Sequence, residues 1–154
     1  GKTAVKTLLQ KYFIVRISWF FGINGNNFIK TMLKLGKERS QLNVVADQIG
    51  SPTYTADLAP LLCDLAATDK YGTYHATNSG TCSWAEFAEE IFRLAGINCQ
   101  VKRIATAEYP TKAVRPQNSR MSKKSLEAAG FPCLPLWQEA VARYLKEMGI
   151  NGNA

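Results

Sequence analysis

Phe13-Ile14-Val15-Arg16-Ile17-Ser18-Trp19, then Gly22-Ile23-Asn24-Gly25-Asn26-Asn27, then Phe28 to Arg39, reads as a strand, a loop and a helix in succession. The first run is compact, apolar and rich in β-formers, with Arg16 as its one charge. Such runs suit a strand buried on both faces of a parallel sheet. Glycine and asparagine make the second run a loop. The third run turns Phe28, Ile29, Met32, Leu33 and Leu35 inward at helical spacing. Strand, loop and helix in that order are the unit of an α/β domain.

The same alternation extends in both directions. Before the strand, Ala4, Val5, Leu8, Leu9 and Tyr12 recur at helical spacing and predict a first helix. After the second helix come a short strand at Leu42 to Ala46 and a loop from Asp47 to Tyr54, marked by Gly50 and Pro52. Leu58, Leu61, Leu62 and Leu65 predict the next helix, with Cys63 as a small core residue. Thr55 or Asp57 is its expected cap, and Asp57 would place Pro60 in the first turn. Gly72 to Thr77 is a further strand. Ser83-Trp84-Ala85-Glu86 is a capping box, in which serine and glutamate satisfy each other's orphan amides. It opens a helix that Gly96 should end. Val101 to Ile104 reads as a strand and Ala105 to Ser119 as mostly loop. Ser122 is expected to cap a short helix that stops at Gly130, and Pro135 to open a last helix carrying Trp137, Ala140, Val141, Tyr144 and Leu145.

Composition narrows the class. With 154 residues, 46% hydrophobic and 20% charged, the chain can bury one real core. No apolar run approaches the ~18 residues of a membrane-spanning helix. No signal peptide opens the chain, so a cytoplasmic location is the default expectation. The first residue is Gly1 and not Met, and a helical pattern follows almost at once, as expected of a processed or truncated start, although a tag remnant would read the same way. The net charge of +7 comes from scattered lysines and arginines, without aromatic-interleaved basic strands or a recognition helix. That pattern argues against nucleic acid and leaves a solvated surface or an anionic small ligand. Cys63, Cys82, Cys99 and Cys133 include no CxxC pair, and His75 is the one histidine, so no metal site is expected.

Catalytic signatures are missing. No GxGxxG or GxxxxGK loop is present to cradle phosphate. None of Tyr12, Tyr54, Tyr71, Tyr74, Tyr109 and Tyr144 has a lysine four residues on, the spacing at which an ammonium lowers a helical tyrosine's pKa. Binding features are present instead. Trp19 is a flat surface at the tip of a strand, where α/β proteins place ligands, although a core tryptophan reads the same way. Asn26 and Asn27 precede a helix and suit either an anionic or hydroxylated ligand or an ordinary cap. Arg115, in the loop Ala113-Val114-Arg115-Pro116-Gln117-Asn118-Ser119, suits a diphosphate or an ordinary surface position.

Taken together these blocks resemble one family. Val15-Arg16-Ile17-Ser18-Trp19-Phe20-Phe21-Gly22 with Asn26-Asn27-Phe28 is similar to the region after the catalytic helix of dTDP-4-dehydrorhamnose reductases, which are extended short-chain dehydrogenases/reductases. Asp47-Gln48-Ile49-Gly50-Ser51-Pro52-Thr53-Tyr54-Thr55-Ala56-Asp57-Leu58-Ala59 resembles their next block. Gly72-Thr73-Tyr74-His75 is similar to the strand after it, and Arg115-Pro116 with Asn118-Ser119 to a late loop. The resemblance runs from about residue 2 to 148.

It implies an α/β fold: the C-terminal part of a Rossmann-like parallel sheet plus a small α/β substrate-binding domain. Residues 1–150 would be the substrate-binding half of a reductase. Within them, 1–70 would hold the last Rossmann-type strands and helices, 71–150 mainly the substrate domain, and 151–154 a frayed tail. In that family a separate N-terminal half binds NADPH, or NADH, and carries a Tyr-x-x-x-Lys pair. The resemblance therefore implies no catalytic residue in this chain, no tight cofactor binding by it alone, and an intact enzyme that yields dTDP-L-rhamnose. By position, Trp19 would contact the dTDP-sugar, with Asn27 and Arg115 as further substrate-side contacts. Ser18 and Phe20 would border the nicotinamide. Without the partner half, the Phe13 to Trp19 strand would expose an edge, and self-association, as in a homodimer, is expected. An epimerase or dehydratase of the same superfamily stays open as an alternative. So does a non-catalytic regulatory subunit such as that of methionine adenosyltransferase.

Overall fold

The computed structural model describes residues 11–108 and 123–150. The predicted first helix, the proposed cap Ser122, the loop carrying Arg115 and the tail at 151–154 lie outside the described residues. In chain order the elements are β1 (Phe13–Arg16), β2 (Phe20–Phe21), α1 (Phe28–Glu38), β3 (Gln41–Val45), β4 (Ile49–Gly50), β5 (Thr53–Tyr54), α2 (Thr55–Ala66), β6 (Gly72–His75), β7 (Asn78–Ser79), β8 (Cys82–Ser83), α3 (Trp84–Ala95), β9 (Gln100–Ile104), a 3-10 turn (Thr106–Glu108), α4 (Lys124–Ala128), β10 (Leu134–Leu136) and α5 (Trp137–Glu147). Helices and strands alternate, as expected of an α/β chain.

Among the described residues, four of the five strand pairs are parallel: β1 with β6, β2 with β5, β3 with β9 and β7 with β10, while β4 and β8 run antiparallel. Parallel partners need crossover connections, so each pair joins distant parts of the chain. Phe13, Val15 and Ile17 alternate onto one face and pack with Leu58, Leu61, Leu65, Tyr74, Ala76, Leu126 and Leu134. A second, larger core gathers Phe21, Ile29, Met32, Leu33, Leu42, Val44 and Phe87 with Ile91, Trp137, Val141 and Tyr144. Each core draws residues from both sides of residue 70.

Local physics accounts for the helix ends. Ser83 accepts the Glu86 amide at 3.1 Å and Glu86 accepts the Ser83 amide at 3.1 Å, so the predicted capping box forms. Gly96 closes α3 at φ 68°, a conformation open to glycine at little cost.

Five expectations change. β1 stops at Arg16 and is half-buried, because Arg16 alternates outward and the described residues give the strand one neighbour, β6. The Asp47 to Tyr54 segment contains β4 and β5, each too short to show a period. Leu62 is 40% exposed and Cys63 is exposed, because the buried stripe of α2 follows 58, 61 and 65 and the other two positions rotate off it. α2 starts at Thr55 with no side-chain cap, and Pro60 lies inside it. The carbonyl that Pro60 cannot satisfy belongs to Ala56, which is exposed to water. Pro135 belongs to β10 and α5 begins at Trp137; the Asn78 amide and the Ser79 hydroxyl hold the Pro135 and Leu134 carbonyls in the strand.

Asp57, expected as a cap, is instead gripped from across the fold. Arg143 donates to both of its oxygens at 2.7 Å and Asn78 donates to Oδ2 at 2.9 Å. Burial pushes this carboxyl up, but the Arg143 and Asn78 hydrogen bonds and the Arg143 charge outweigh it, and the net shift is downward. A carboxylate held below its ordinary value stabilises the fold fully above about pH 4 and ceases to do so as pH falls through the lowered value. Acid unfolding should therefore separate the native chain from Asp57→Asn. The native chain should lose stability more steeply below about pH 4, and the two curves should converge there. Parallel curves through that window would show that the pair contributes nothing.

Candidate functional site

The described residues that could meet a ligand gather where β1 ends. Trp19 is the one non-glycine residue with positive φ among the described residues, at 45°. For a bulky side chain this conformation costs about 1–3 kcal/mol and persists where the surroundings over-determine it. Here they do. The Trp19 carbonyl accepts the Thr53 amide at 3.2 Å, and the Ser18 carbonyl accepts the Thr53 hydroxyl at 2.7 Å. The Ser18 hydroxyl donates to the Ser51 carbonyl at 2.8 Å, and the Ser51 hydroxyl reaches the Gly80 carbonyl. Every donor in this stitching comes from short polar residues in the Ser51-Pro52-Thr53 block and its partner Ser18.

The indole of Trp19 lies against that of Trp84, the first residue of α3, with ring centroids 3.7 Å apart and planes 19° apart. Gly50 makes room for it. A Cβ there would stand 2.7 Å from Cε2 and Cζ2 of Trp19, closer than any real methyl can sit. Phe28 and Phe87 extend the aromatic surface, with centroids 4.8 Å from Trp84 and 6.3 Å from Trp19 respectively. Trp19 and Trp84 stay partly exposed. A polar chain runs behind them. Trp84 Nε1 donates to Gln48 Oε1 at 3.2 Å, Gln48 Nε2 donates to Thr106 Oγ1 at 3.1 Å, and Asp47 accepts both the Thr106 hydroxyl and its amide.

The other sequence-derived site residues fall as follows. Asn27 caps α1: its Oδ1 accepts the Lys30 amide, and its Nδ2 donates to the Gly22 carbonyl and the Tyr144 hydroxyl, each at 3.0 Å. Its amide is thus engaged within the fold. Ser18 faces Ser51, as above. Phe20 is 60% exposed and offers an apolar ring beside the site. Arg115 lies outside the described residues. Trp84, Gln48, Gly50 and Thr106 are residues that sequence reasoning did not single out. The available signal was the pairing of a helix-opening tryptophan, whose N–H needs a partner, with a loop rich in small and polar residues.

Burial pushes the Cys82 thiol far up, and a hydrogen bond to Glu127 raises that of Cys133. Among the described residues no group of three or more histidines, cysteines or acids could hold a metal ion.

A family model described as the RmlD substrate binding domain matches residues 1–150. The chain belongs to that family. It is 44% identical over 154 residues to a dTDP-4-dehydrorhamnose reductase of Aggregatibacter actinomycetemcomitans, matching 92% of this chain and 52% of that one. It is 42% identical to the spore coat polysaccharide biosynthesis protein SpsK of Bacillus subtilis, over 96% of this chain and 51% of the relative. Among solved structures it resembles the dTDP-4-dehydrorhamnose reductase of Bacillus anthracis in complex with NADP. There the TM-score is 0.90 and the identity 49%, covering 96% of this chain and 52% of that one. An ortholog from Clostridium acetobutylicum gives a TM-score of 0.93 at 42% identity, over 97% and 53%. The Rossmann-like α/β class read from the sequence is the class of these reductases. The chain spans about half the length of the relatives it matches.

Proposed function

We propose that this chain is the dTDP-sugar-binding part of an NADPH-dependent reductase that converts dTDP-4-dehydro-L-rhamnose to dTDP-L-rhamnose, in the biosynthesis of cell-surface polysaccharide. The observation that carries this reading is the left-handed Trp19, held by the 51–53 segment and stacked on Trp84, within a chain of this family. A strained, partly exposed aromatic at a strand terminus is pre-organised to meet a ligand. The Trp19–Trp84 wall would shape the sugar or base site, and Arg115 would pair with the diphosphate. Asn27 would act through the start of α1, since its amide already holds Gly22 and Tyr144.

The residues here fit one flank of a nicotinamide cofactor and no more. Phe20 presents an exposed ring, while the Ser18 hydroxyl is committed to Ser51 and the sequence has no glycine-rich loop for the phosphates. When bound, NADPH supplies the hydride. The tyrosine and lysine that complete the reaction would come from an N-terminal Rossmann half, and the chain by itself would be inactive. A homodimer and a cytoplasmic location remain parts of this reading. No helix among the described residues is long and apolar enough to cross a membrane.

Calorimetric titration of the chain with dTDP, UDP and NADPH tests the proposal. Selective dTDP binding is expected, with Trp19→Ala weakening it roughly tenfold, the usual worth of one base–aromatic stack. Arg115→Ala should weaken it as well. A folded chain that binds none of the three would overturn the claim that it holds the site unaided.

A further inference from the structure

The stitching of Ser18, Ser51 and Thr53 holds the Trp19 backbone, but it does not reach the indole of Trp84. The geometry points to Gln48 as the positioning residue. It fixes Trp84, Trp84 backs Trp19, and the nucleotide-sugar site takes its aromatic wall from that order. The ligand part of this inference rests on the proposed function; the link from Gln48 to the tryptophan pair does not.

The donors and acceptors permit one arrangement. An indole N–H can only donate, so the Gln48 atom facing Trp84 must be its carbonyl oxygen. The Thr106 hydroxyl donates to Asp47, so it receives the Gln48 amide hydrogen. The relay therefore runs in two directions from one side chain. Gln48 accepts from α3 and donates toward the turn that follows β9, joining the two.

Burial makes the arrangement consequential. Gln48 is 6% exposed, so neither half of its amide can turn to bulk water for a substitute partner. The other contacts of the Trp84 ring are apolar: one face lies on Trp19, Phe28 meets it at a tilt of 49°, and Phe87 stands 6.2 Å away. None of these apolar contacts satisfies the indole N–H, whereas the Gln48 carbonyl does and so selects the χ2 orientation that points Nε1 at it. Thr106 also begins the 3-10 turn Thr106–Glu108, so the same relay anchors that turn.

The test uses the full 154-residue chain and Gln48→Met, which keeps the length of the side chain and loses both hydrogen bonds. The chain has three tryptophans and two of them are stacked, so their exciton couplet in far-ultraviolet circular dichroism reports this pair. In Gln48→Met the couplet should collapse while the helical signal persists, and dTDP affinity should fall about three- to tenfold, the worth of one buried hydrogen bond. An unchanged couplet overturns the positioning role. A lost couplet with unchanged affinity, in a native chain that binds dTDP, overturns its importance for the ligand. If the native chain does not bind dTDP, the proposed ligand falls and the couplet still decides whether Gln48 sets the pair. Should Gln48→Met fail to fold, Thr106→Val cuts the relay one residue further back. It should loosen the couplet in the same direction, and an unchanged couplet there overturns the inference equally.

Discussion

Asn78→Ala should lower the unfolding free energy by about 3–5 kcal/mol, read as a fall in the urea midpoint at unchanged slope. Asn78 has no exposed surface. Its Oδ1 accepts the Tyr54 amide at 2.7 Å, and its Nδ2 donates to Asp57 at 2.9 Å and to the Pro135 carbonyl at 3.0 Å. One side chain thus ties β5, α2 and β10 together. Alanine strands the Tyr54 amide in a residue that is 3% exposed, and removes one of the donors that hold Asp57 ionised. Leaving buried polar groups unpaired is what makes such a change large, beyond the modest net value of each bond. Asn78→Asp should be at least as harmful, because it sets a second carboxylate against Asp57 in place of a donor. A loss below about 1 kcal/mol for Asn78→Ala would mean that water replaces the amide and the knot is dispensable.

Phe87→Ala should cost a similar ~3–5 kcal/mol and lower Tm by something on the order of 10 °C. The ring is 1% exposed and stands among Phe28, Trp137, Trp84, Phe21 and Trp19 at centroid distances of 5.0, 5.8, 6.2, 6.2 and 6.3 Å. Flat rings held by α1, α3, α5, β2 and the link between β1 and β2 cannot close over the void without moving those elements. The cavity therefore persists and its cost adds to the lost transfer energy. Phe87→Leu keeps most of the volume and should lose about 1.5 kcal/mol or less. Thermal unfolding of the pair separates cavity from chemistry. Equal losses in the two variants would argue that the ring's shape, and not its volume, holds the cluster.

Both residues show where sequence reading stops. Phe87 was legible as a core position, because α3 carries its apolar residues at helical spacing behind an unambiguous capping box. That code is local, and an amphipathic helix buries its stripe against whatever partner it finds. The same holds for α1, whose apolar residues recur at helical spacing. Asn78 was not legible. Its three partners lie 21, 24 and 57 positions away along the chain, and nothing in the residue type announces that it will be buried.

The site divides the same way. Trp19 was visible as an aromatic at the end of an apolar run, and the order of motifs around it carried the family resemblance. The sequence by itself determined the inward faces of α1, α3 and α5, the capping box, the α/β alternation and the absence of a tyrosine–lysine pair, because each depends on residues within one or two turns of each other. Tertiary structure alone decided that Trp19 takes a left-handed backbone, that Gly50 yields to its ring, that Gln48 reaches Trp84, and that Asp57 answers to Arg143 instead of capping its own helix. Those outcomes depend on parallel pairings such as β2 with β5 and β3 with β9, which bring distant segments into register. A side chain's partners there are set by which strands neighbour each other, and neighbours joined by crossovers leave no periodic trace in the chain.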